Sequence, residues 1–126
     1  MAVAEMYSTV LDTTDPKGLA EFYAELLGGK VDDSGEWVTV VLPHGQRLGF
    51  QLVAEHEPPQ WPHWPGADTS PQQMHLDLKV TGPLEEAEQR VLDMGGRKLD
   101  TDDADGKRPS RVYADPAGHP ICLCRV

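Results

Sequence analysis

The sequence predicts an α+β fold built from two consecutive βαβββ modules. The first observation is an internal repeat, because the segment that begins near Ser8 recurs near His75 at an offset of 67 positions. The second observation is that each copy opens with a strand pattern and continues with a helix pattern. The offset superposes residues at the ends of these elements: Pro16 on Pro83, Ala20 on Ala87, Glu21 on Glu88, Gly28 on Gly95 and Gly29 on Gly96.

Each module begins with a strand and a helix. In the second copy, apolar and polar residues alternate as in a strand with one apolar face, the apolar ones being Met74, Leu76, Leu78 and Val80. In the first copy, Asp15 is the expected N-cap and Pro16 occupies the first helical position. The paired glycines at Gly28 are expected to end this helix. The second helix is expected between Pro83 and Gly95.

Three short strands are expected after each helix. In the first module they lie at about Lys30–Asp33, Trp37–Leu42 and Arg47–Glu55, and in the second at about Arg97–Leu99, Arg111–Ala114 and Pro120–Arg125. The last two strands of each module are joined by a turn, PHGQ at Pro43 and DPAG at Asp115, in which proline and glycine suit the backbone. His44 and His119 lie in these turns, where we expect them to be solvated.

One domain spanning residues 1–126 is predicted, with halves at about 1–56 and 73–126. The connecting residues 57–72 are rich in proline and contain Trp61 and Trp64, which favours an extended crossover. These tryptophans would form either a lid over a binding cleft or an apolar seam with a partner subunit.

Composition excludes several classes of function. The 126 residues carry a formal net charge of −10, which argues against a nucleic-acid or anionic-membrane partner. No apolar stretch reaches membrane-spanning length and no secretory signal is recognisable, so a cytoplasmic location is expected. Cys122 and Cys124 are expected on the same face of one strand, reduced and poorly placed to bridge each other.

Three stretches of the chain resemble the vicinal oxygen chelate superfamily, which includes glyoxalase I, extradiol dioxygenases, and bleomycin- and fosfomycin-resistance proteins. They are DPKGLAEFYAELLGG, MHLDLKV and RVYADPAGHPICLC. The last two are similar to glyoxalase-like proteins that are widespread in actinobacteria. The resemblance implies a curled mixed sheet around a cleft, with the helices outside, and a homodimer.

The resemblance also assigns the superfamily's metal-ligand positions, which carry His or Glu in its enzymes. They fall here on Ser8, Gln51, His75 and Cys122, and the internal repeat independently aligns Ser8 with His75. Gln51 and Cys122 follow their turn prolines at distances that differ by two, so they are expected to point into the same cleft. Only His75 is a standard ligand, so no metal cofactor is expected. A softer site made of His75, Cys122 and Cys124 is the alternative.

The favoured function is binding of a neutral or cationic small molecule. Ligand contacts are predicted for residues of the cleft and the crossover: Ser8, Gln51, His75, Asp77, Cys122, Trp61 and Trp64. His75 is either a ligand-contacting base or an imidazole bonded to Gln51 or Ser8, and Asp77 either orients it or meets a cationic ligand. The alternative is a lyase, isomerase or dioxygenase that uses His75 with an atypical metal set or as a metal-free base. A third interpretation is an interaction module with a vestigial cleft.

Overall fold

The structure is a computed structural model that describes residues 2–33, 37–59, 73–99 and 110–125. It divides into two compact units, Met1–His56 and Glu57–Val126. Each unit is one βαβββ module, so the predicted α+β class with tandem modules is confirmed. Trp61 and Trp64 lie outside the described residues. None of the helices within the described ranges is long and apolar enough to cross a membrane.

The first module contains one helix and a mixed four-stranded sheet. Its elements are β1 (Thr9–Thr13), α1 (Pro16–Leu27), β2 (Lys30–Asp32), β3 (Val38–Val41) and β4 (Arg47–Leu52). The strand order is β1-β4-β3-β2, in which β1 runs parallel to β4 and the other neighbours are antiparallel.

Helix α1 begins and ends as the sequence predicts. The Asp15 side chain accepts a hydrogen bond from the Gly18 amide at 3.0 Å, and Gly28 ends the helix in the left-handed region at a φ of 77°. The helix packs on the sheet through apolar side chains, with the Tyr23 and Phe50 rings stacked at 5.9 Å. Because side chains alternate along a strand, Gly49 and Gln51 lie on the opposite face. We call the face away from a module's own helix its distal face.

The second module repeats this plan. Its elements are β5 (Leu76–Lys79), α2 (Leu84–Asp93), β6 (Arg97–Lys98), β7 (Ser110–Ala114) and β8 (Pro120–Cys124). The strand order is β5-β8-β7-β6, and β5 runs parallel to β8.

Charged groups, rather than rings, join α2 to its sheet. The Arg111 guanidinium, only 7% exposed, lies 3.1 Å from Glu85 Oε1 and 3.4 Å from Glu88 Oε2. Glu88 also accepts a hydrogen bond from the Tyr113 hydroxyl at 2.8 Å and lies 3.2 Å from Lys98 Nζ. Burial, and then the neighbouring Glu88 carboxylate, raise the pKa of Tyr113. The helix-facing side of the second sheet therefore combines an ionic and hydrogen-bonded cluster on β7 with buried apolar residues of β8, Ile121 and Leu123.

Strand β4 ends earlier than the sequence suggests, at Leu52 instead of Glu55. Its parallel partner β1 ends at Thr13, which lies opposite Leu52, and one further hydrogen bond joins the Val53 amide to the Thr13 carbonyl. After Thr13 the chain turns towards the N-cap of α1, so β4 has no neighbouring part of β1 with which to form further hydrogen bonds.

The expectation that His119 is solvated is wrong. Its side chain is 13% exposed, and its Nδ1 lies 3.0 Å from Oδ2 of the fully buried Asp115. Asp115 Oδ1 also accepts hydrogen bonds from the Ala117 and His119 amides. The Asp115 carboxylate therefore organises the whole turn, and it also holds the His119 imidazole against the turn.

Candidate functional site

Two different offsets relate the modules. The first strands are offset by 67 positions, as Thr9 and Leu76 show. The hairpins are offset by 73, since Thr9 faces Leu48 whereas Leu76 faces Ile121. On this register the counterpart of Gln51 is Cys124, and Cys122 lies two residues earlier, which agrees with the difference of two in their distances from the turn prolines. The two positions still share the distal parity of their strands.

The distal face of the second module brings four chemically active side chains together. Asp77 on β5 faces Cys122 on the parallel strand β8, and Cys124 follows two residues later on the same side. The ligand atoms of Asp77, Cys122 and Cys124 all lie within 4.8 Å of one another. His75 Nε2 lies 3.1 Å from Asp77 Oδ1. The imidazole, one residue before β5, thus has a carboxylate partner on that strand.

Both cysteines of this group are free thiols. Cys122 is buried, and Cys124 Sγ donates to Cys122 Sγ at 3.5 Å, well beyond the length of a disulfide bond. Burial, the hydrogen bond to Cys122 and the nearby Asp77 charge raise the pKa of Cys124 to about 12. At neutral pH Cys124 is therefore a thiol and a poor nucleophile.

The distal face of the first module has different chemistry. Ser8 donates a hydrogen bond to the Thr9 carbonyl at 3.4 Å. A Cβ at Gly49 would lie 3.3 Å from both Ser8 Oγ and Val10 Cγ2, and 4.0 Å from Trp37 Cε3. Val10 and Trp37 are 43% and 44% exposed. Trp37 is not among the predicted site residues, although its spacing from Thr39 on β3 places it on the distal side and was a usable signal.

The donors at the positions that the resemblance assigns to metal ligands do not fit the superfamily's usual metals. The Ser8 hydroxyl is neutral and donates to backbone, Gln51 offers a neutral amide, and Cys122 offers a buried thiol where an acid is expected. Magnesium and manganese prefer carboxylate and water ligands, and nickel or iron sites need several imidazoles or carboxylates. A single imidazole, His75, does not supply such a site.

The structure therefore brings some of the predicted site residues together within one module. His75, Asp77 and Cys122 form one group on the second module, whereas Ser8 lies on the distal side of the first sheet. Gln51 is exposed on β4.

Tandem βαβββ modules with this strand order define the vicinal oxygen chelate superfamily. A family model described as "Glyoxalase-like domain" matches residues 8–124, and the chain belongs to that family. No match was found among curated proteins.

Similar solved structures extend over the whole chain. The fosfomycin resistance protein FosX from Mesorhizobium loti has a TM-score of 0.68 at 10% identity, covering 100% of this chain and 94% of its own. A "possible Glyoxalase" from Bacillus cereus has a TM-score of 0.66 at 14% identity, covering 98% and 99%. A protein from Agrobacterium tumefaciens has a TM-score of 0.67 at 20% identity, covering 98% of both chains. These similarities establish the fold.

Proposed function

We propose that this protein binds a small organic molecule and lacks the superfamily's His/Glu metal centre. The observation that carries the proposal is the His75–Asp77 pair at 3.1 Å, which presents an imidazole and a carboxylate from the distal face of the second sheet. Such a pair serves ligand recognition without a metal, because it offers both a donor and an acceptor. Ser8, Gln51 and Cys122 are the further proposed contacts, with Trp61 and Trp64 from the crossover.

The proposed ligand is neutral or cationic. The Asp77 side chain is 67% exposed, so its carboxylate is accessible to a bound molecule. The net charge of −10 raises the local concentration of cations and disfavours anions. FosX, one of the proteins with a similar fold, is named for resistance to fosfomycin, a small organic compound. This name supports a small molecule as the ligand class.

The binding test is a screen of matched cationic, neutral and anionic compounds, in which thermal shift and tryptophan fluorescence detect binding. We expect hits in the cationic and neutral panels. Asp77→Asn and His75→Ala should each weaken binding of a hit by about 1 kcal/mol or more, roughly fivefold. Asp93→Asn, an exposed carboxylate on α2, and His44→Ala, an exposed turn histidine, are the matched controls.

Two results would contradict the proposal. Hits confined to the anionic panel would exclude the ligand class, and hits unaffected by both His75→Ala and Asp77→Asn would exclude the site. Treatment with a chelator should leave binding unchanged, and loss of binding after chelation would show that a metal takes part.

We also propose a cytoplasmic location, as the sequence pattern favours, and a homodimer, as the resemblance implies. Members of the superfamily commonly assemble around a two-fold axis, and strand edges or the Trp61/Trp64 segment are the proposed contact. Light scattering on a sizing column should give twice the monomer mass at micromolar concentration. The monomer mass at that concentration would contradict the dimer.

A catalytic role for His75 is the second candidate, and the Asp77 contact is the observation that favours it. A carboxylate beside an imidazole fixes its orientation and stabilises the charged form that arises when it accepts a proton. The reaction class would be a metal-free lyase or isomerase. Exchange of an acidic C–H of a bound hit into deuterated water, lost in His75→Ala, would establish it. Binding without any exchange or turnover would leave the protein a binder.

A further inference from the structure

We propose that Asp77, Cys122 and Cys124 form a binding site for one thiophilic divalent cation, with Zn²⁺ as the ion they fit. This site shares Asp77 and Cys122 with the proposed small-molecule site, but it does not use His75 and it adds the Cys124 thiol. It also differs from the superfamily's metal centre, which requires ligands from both halves of the chain.

The backbone itself sets the positions of the three ligands. Asp77 and Cys122 are register partners on the parallel strands β5 and β8, and Cys124 alternates onto the same face. Their ligand atoms consequently lie within 4.8 Å of one another before any ion is present. Ligands fixed on paired strands need little rearrangement to meet an ion, so less ordering opposes binding.

The separation of the two sulfur atoms matches that of a zinc site. Cys122 Sγ and Cys124 Sγ are 3.5 Å apart. Two thiolates on a tetrahedral zinc ion, each at about 2.3 Å, are separated by about 3.8 Å. A hydrogen bond already joins the two thiols. An ion that takes the place of the shared proton would therefore need the two sulfur atoms to move very little. On binding, both thiols release their protons to solvent.

The chemistry of the ligands selects the ion. Two thiolates prefer zinc and cadmium to magnesium and calcium, which bind oxygen ligands. Three protein ligands leave one position of a tetrahedral ion open, and the exposed Asp77 side chain places that position towards solvent. His75 meets Asp77 through Oδ1, which leaves the second carboxylate oxygen for the ion and orients the carboxylate.

The first module offers an internal comparison. The register of the two sheets places Val10, Gly49 and Gln51 where the second module has Asp77, Cys122 and Cys124. These three residues supply neither a thiol nor a carboxylate. The donor set is therefore a property of the second module and not of the repeated backbone plan.

Cadmium titration of the reduced full-length protein tests the site, because Cd²⁺–thiolate bonds absorb in the ultraviolet. We expect a charge-transfer band that saturates at a single Cd²⁺ per chain, and competition by Zn²⁺ but not by excess Mg²⁺. Cys124→Ser, at a half-buried position, should abolish saturable absorbance, and Asp77→Asn should weaken Cd²⁺ binding roughly tenfold or more. Asp93→Asn should leave the titration unchanged.

Folding of each variant is checked by circular dichroism and by the unfolding midpoint without metal. A variant that is folded and still binds a single Cd²⁺ as tightly as the wild type after Cys124→Ser would overturn the proposal. So would a titration without saturation, which would mean that Cd²⁺ binds only weakly and at scattered carboxylates. His75→Ala separates the two proposals, since it should abolish much of the organic-ligand affinity and leave the thiolate absorbance band.

Discussion

The two modules share a backbone plan, but they attach their helices to their sheets through different forces. At equivalent register positions, β3 carries Val38 and Val40 whereas β7 carries Arg111 and Tyr113. The first module accordingly packs apolar side chains and stacked rings under α1, and the second holds α2 through a buried guanidinium. One topology thus accepts a buried ionic cluster beside its apolar core, provided that the buried charge has partners.

The distal faces differ in the same way. The first module presents small and apolar groups around Gly49, and the second presents an imidazole, a carboxylate and two thiols. The sequence thus carries two kinds of information, one that determines the backbone fold and one that determines the chemistry of each face. Glycines at the helix ends and hairpin turns preserve the fold in both copies, while the residues between them are free to diverge in chemistry.

The largest expected effect concerns the apolar layer of the first module. Phe50→Ala removes a ring that is 1% exposed and stacked on Tyr23, so the free energy of unfolding should fall by about 4 kcal/mol. Urea denaturation followed by circular dichroism measures the loss. His44→Ala, in the exposed turn, is the control and should change stability by less than about 0.5 kcal/mol. If the free energy of unfolding fell by less in Phe50→Ala than in this control, the stacked rings would not be part of a stabilising core.

A second prediction tests the ionic layer. Arg111→Ala leaves Glu88 without its guanidinium in a largely buried position, so the free energy of unfolding should fall by about 3 kcal/mol. Arg111→Leu, which imitates the apolar first module, should recover part of this loss through packing. The control is Lys17→Ala on the exposed side of α1. Equal stability of Arg111→Ala and the wild type in urea would mean that the ion pairs contribute nothing.

The third prediction concerns pH. Although partial burial acts in the opposite direction, hydrogen bonds from Tyr113 and Lys98 hold the pKa of Glu88 below its ordinary value of 4.5. A lowered pKa in the folded state stabilises the fold above the ordinary value, and this contribution is lost as pH falls through the lowered pKa. Glu88→Gln should therefore be less stable than the wild type by about 1 kcal/mol at pH 6.

The difference between Glu88→Gln and the wild type should shrink as pH falls below 4.5. Urea denaturation midpoints of both proteins between about pH 6 and pH 3 measure this difference, since that interval spans the protonation of Glu88. Glu86→Gln, an exposed carboxylate on the same helix, provides the baseline. A difference that grows on acidification would give the wrong sign and contradict the assignment.

The smallest expected effect compares the distal faces. Ser8→Ala should weaken binding of a small-molecule hit by at most about 0.5 kcal/mol, because its hydroxyl already donates to the Thr9 carbonyl. His75→Ala, at the equivalent position of the second module, should cost more than Ser8→Ala. Isothermal titration of both variants with the same hit decides the order. A larger loss for Ser8→Ala would move the centre of the site to the first module.

Much of the fold was predictable because the ends of its helices and its hairpin turns are determined by residues close together in the sequence. Asp15 caps α1 through its own side chain, and Gly28 and Gly95 supply left-handed backbone after each helix. Gly45 and Gly118 do the same in the two hairpin turns. These signals depend on a few neighbouring residues, so the order βαβββ follows from the sequence alone.

The site was less predictable because it depends on pairing between distant strands. The contact of Asp77 with Cys122 requires the parallel register of β5 and β8, which no local signal specifies. His119 was misjudged for a related reason: its partner Asp115 is only four residues away in the same turn, but the burial of that aspartate depends on tertiary packing. What a residue touches across a sheet is a property of the fold rather than of its neighbours in sequence.

The parallel outer strands also determine the order in which the chain can fold. In each module the hairpin, β3–β4 or β7–β8, joins neighbouring segments, whereas β1 or β5 must return across a helix and two strands to reach its partner. Closing the longer loop costs more chain entropy, so we expect the hairpins to form early and the outer strand to dock last. His75 and Asp77 belong to such a late segment. The side chains proposed to recognise a ligand would therefore meet the thiols of β8 only in the last step of folding.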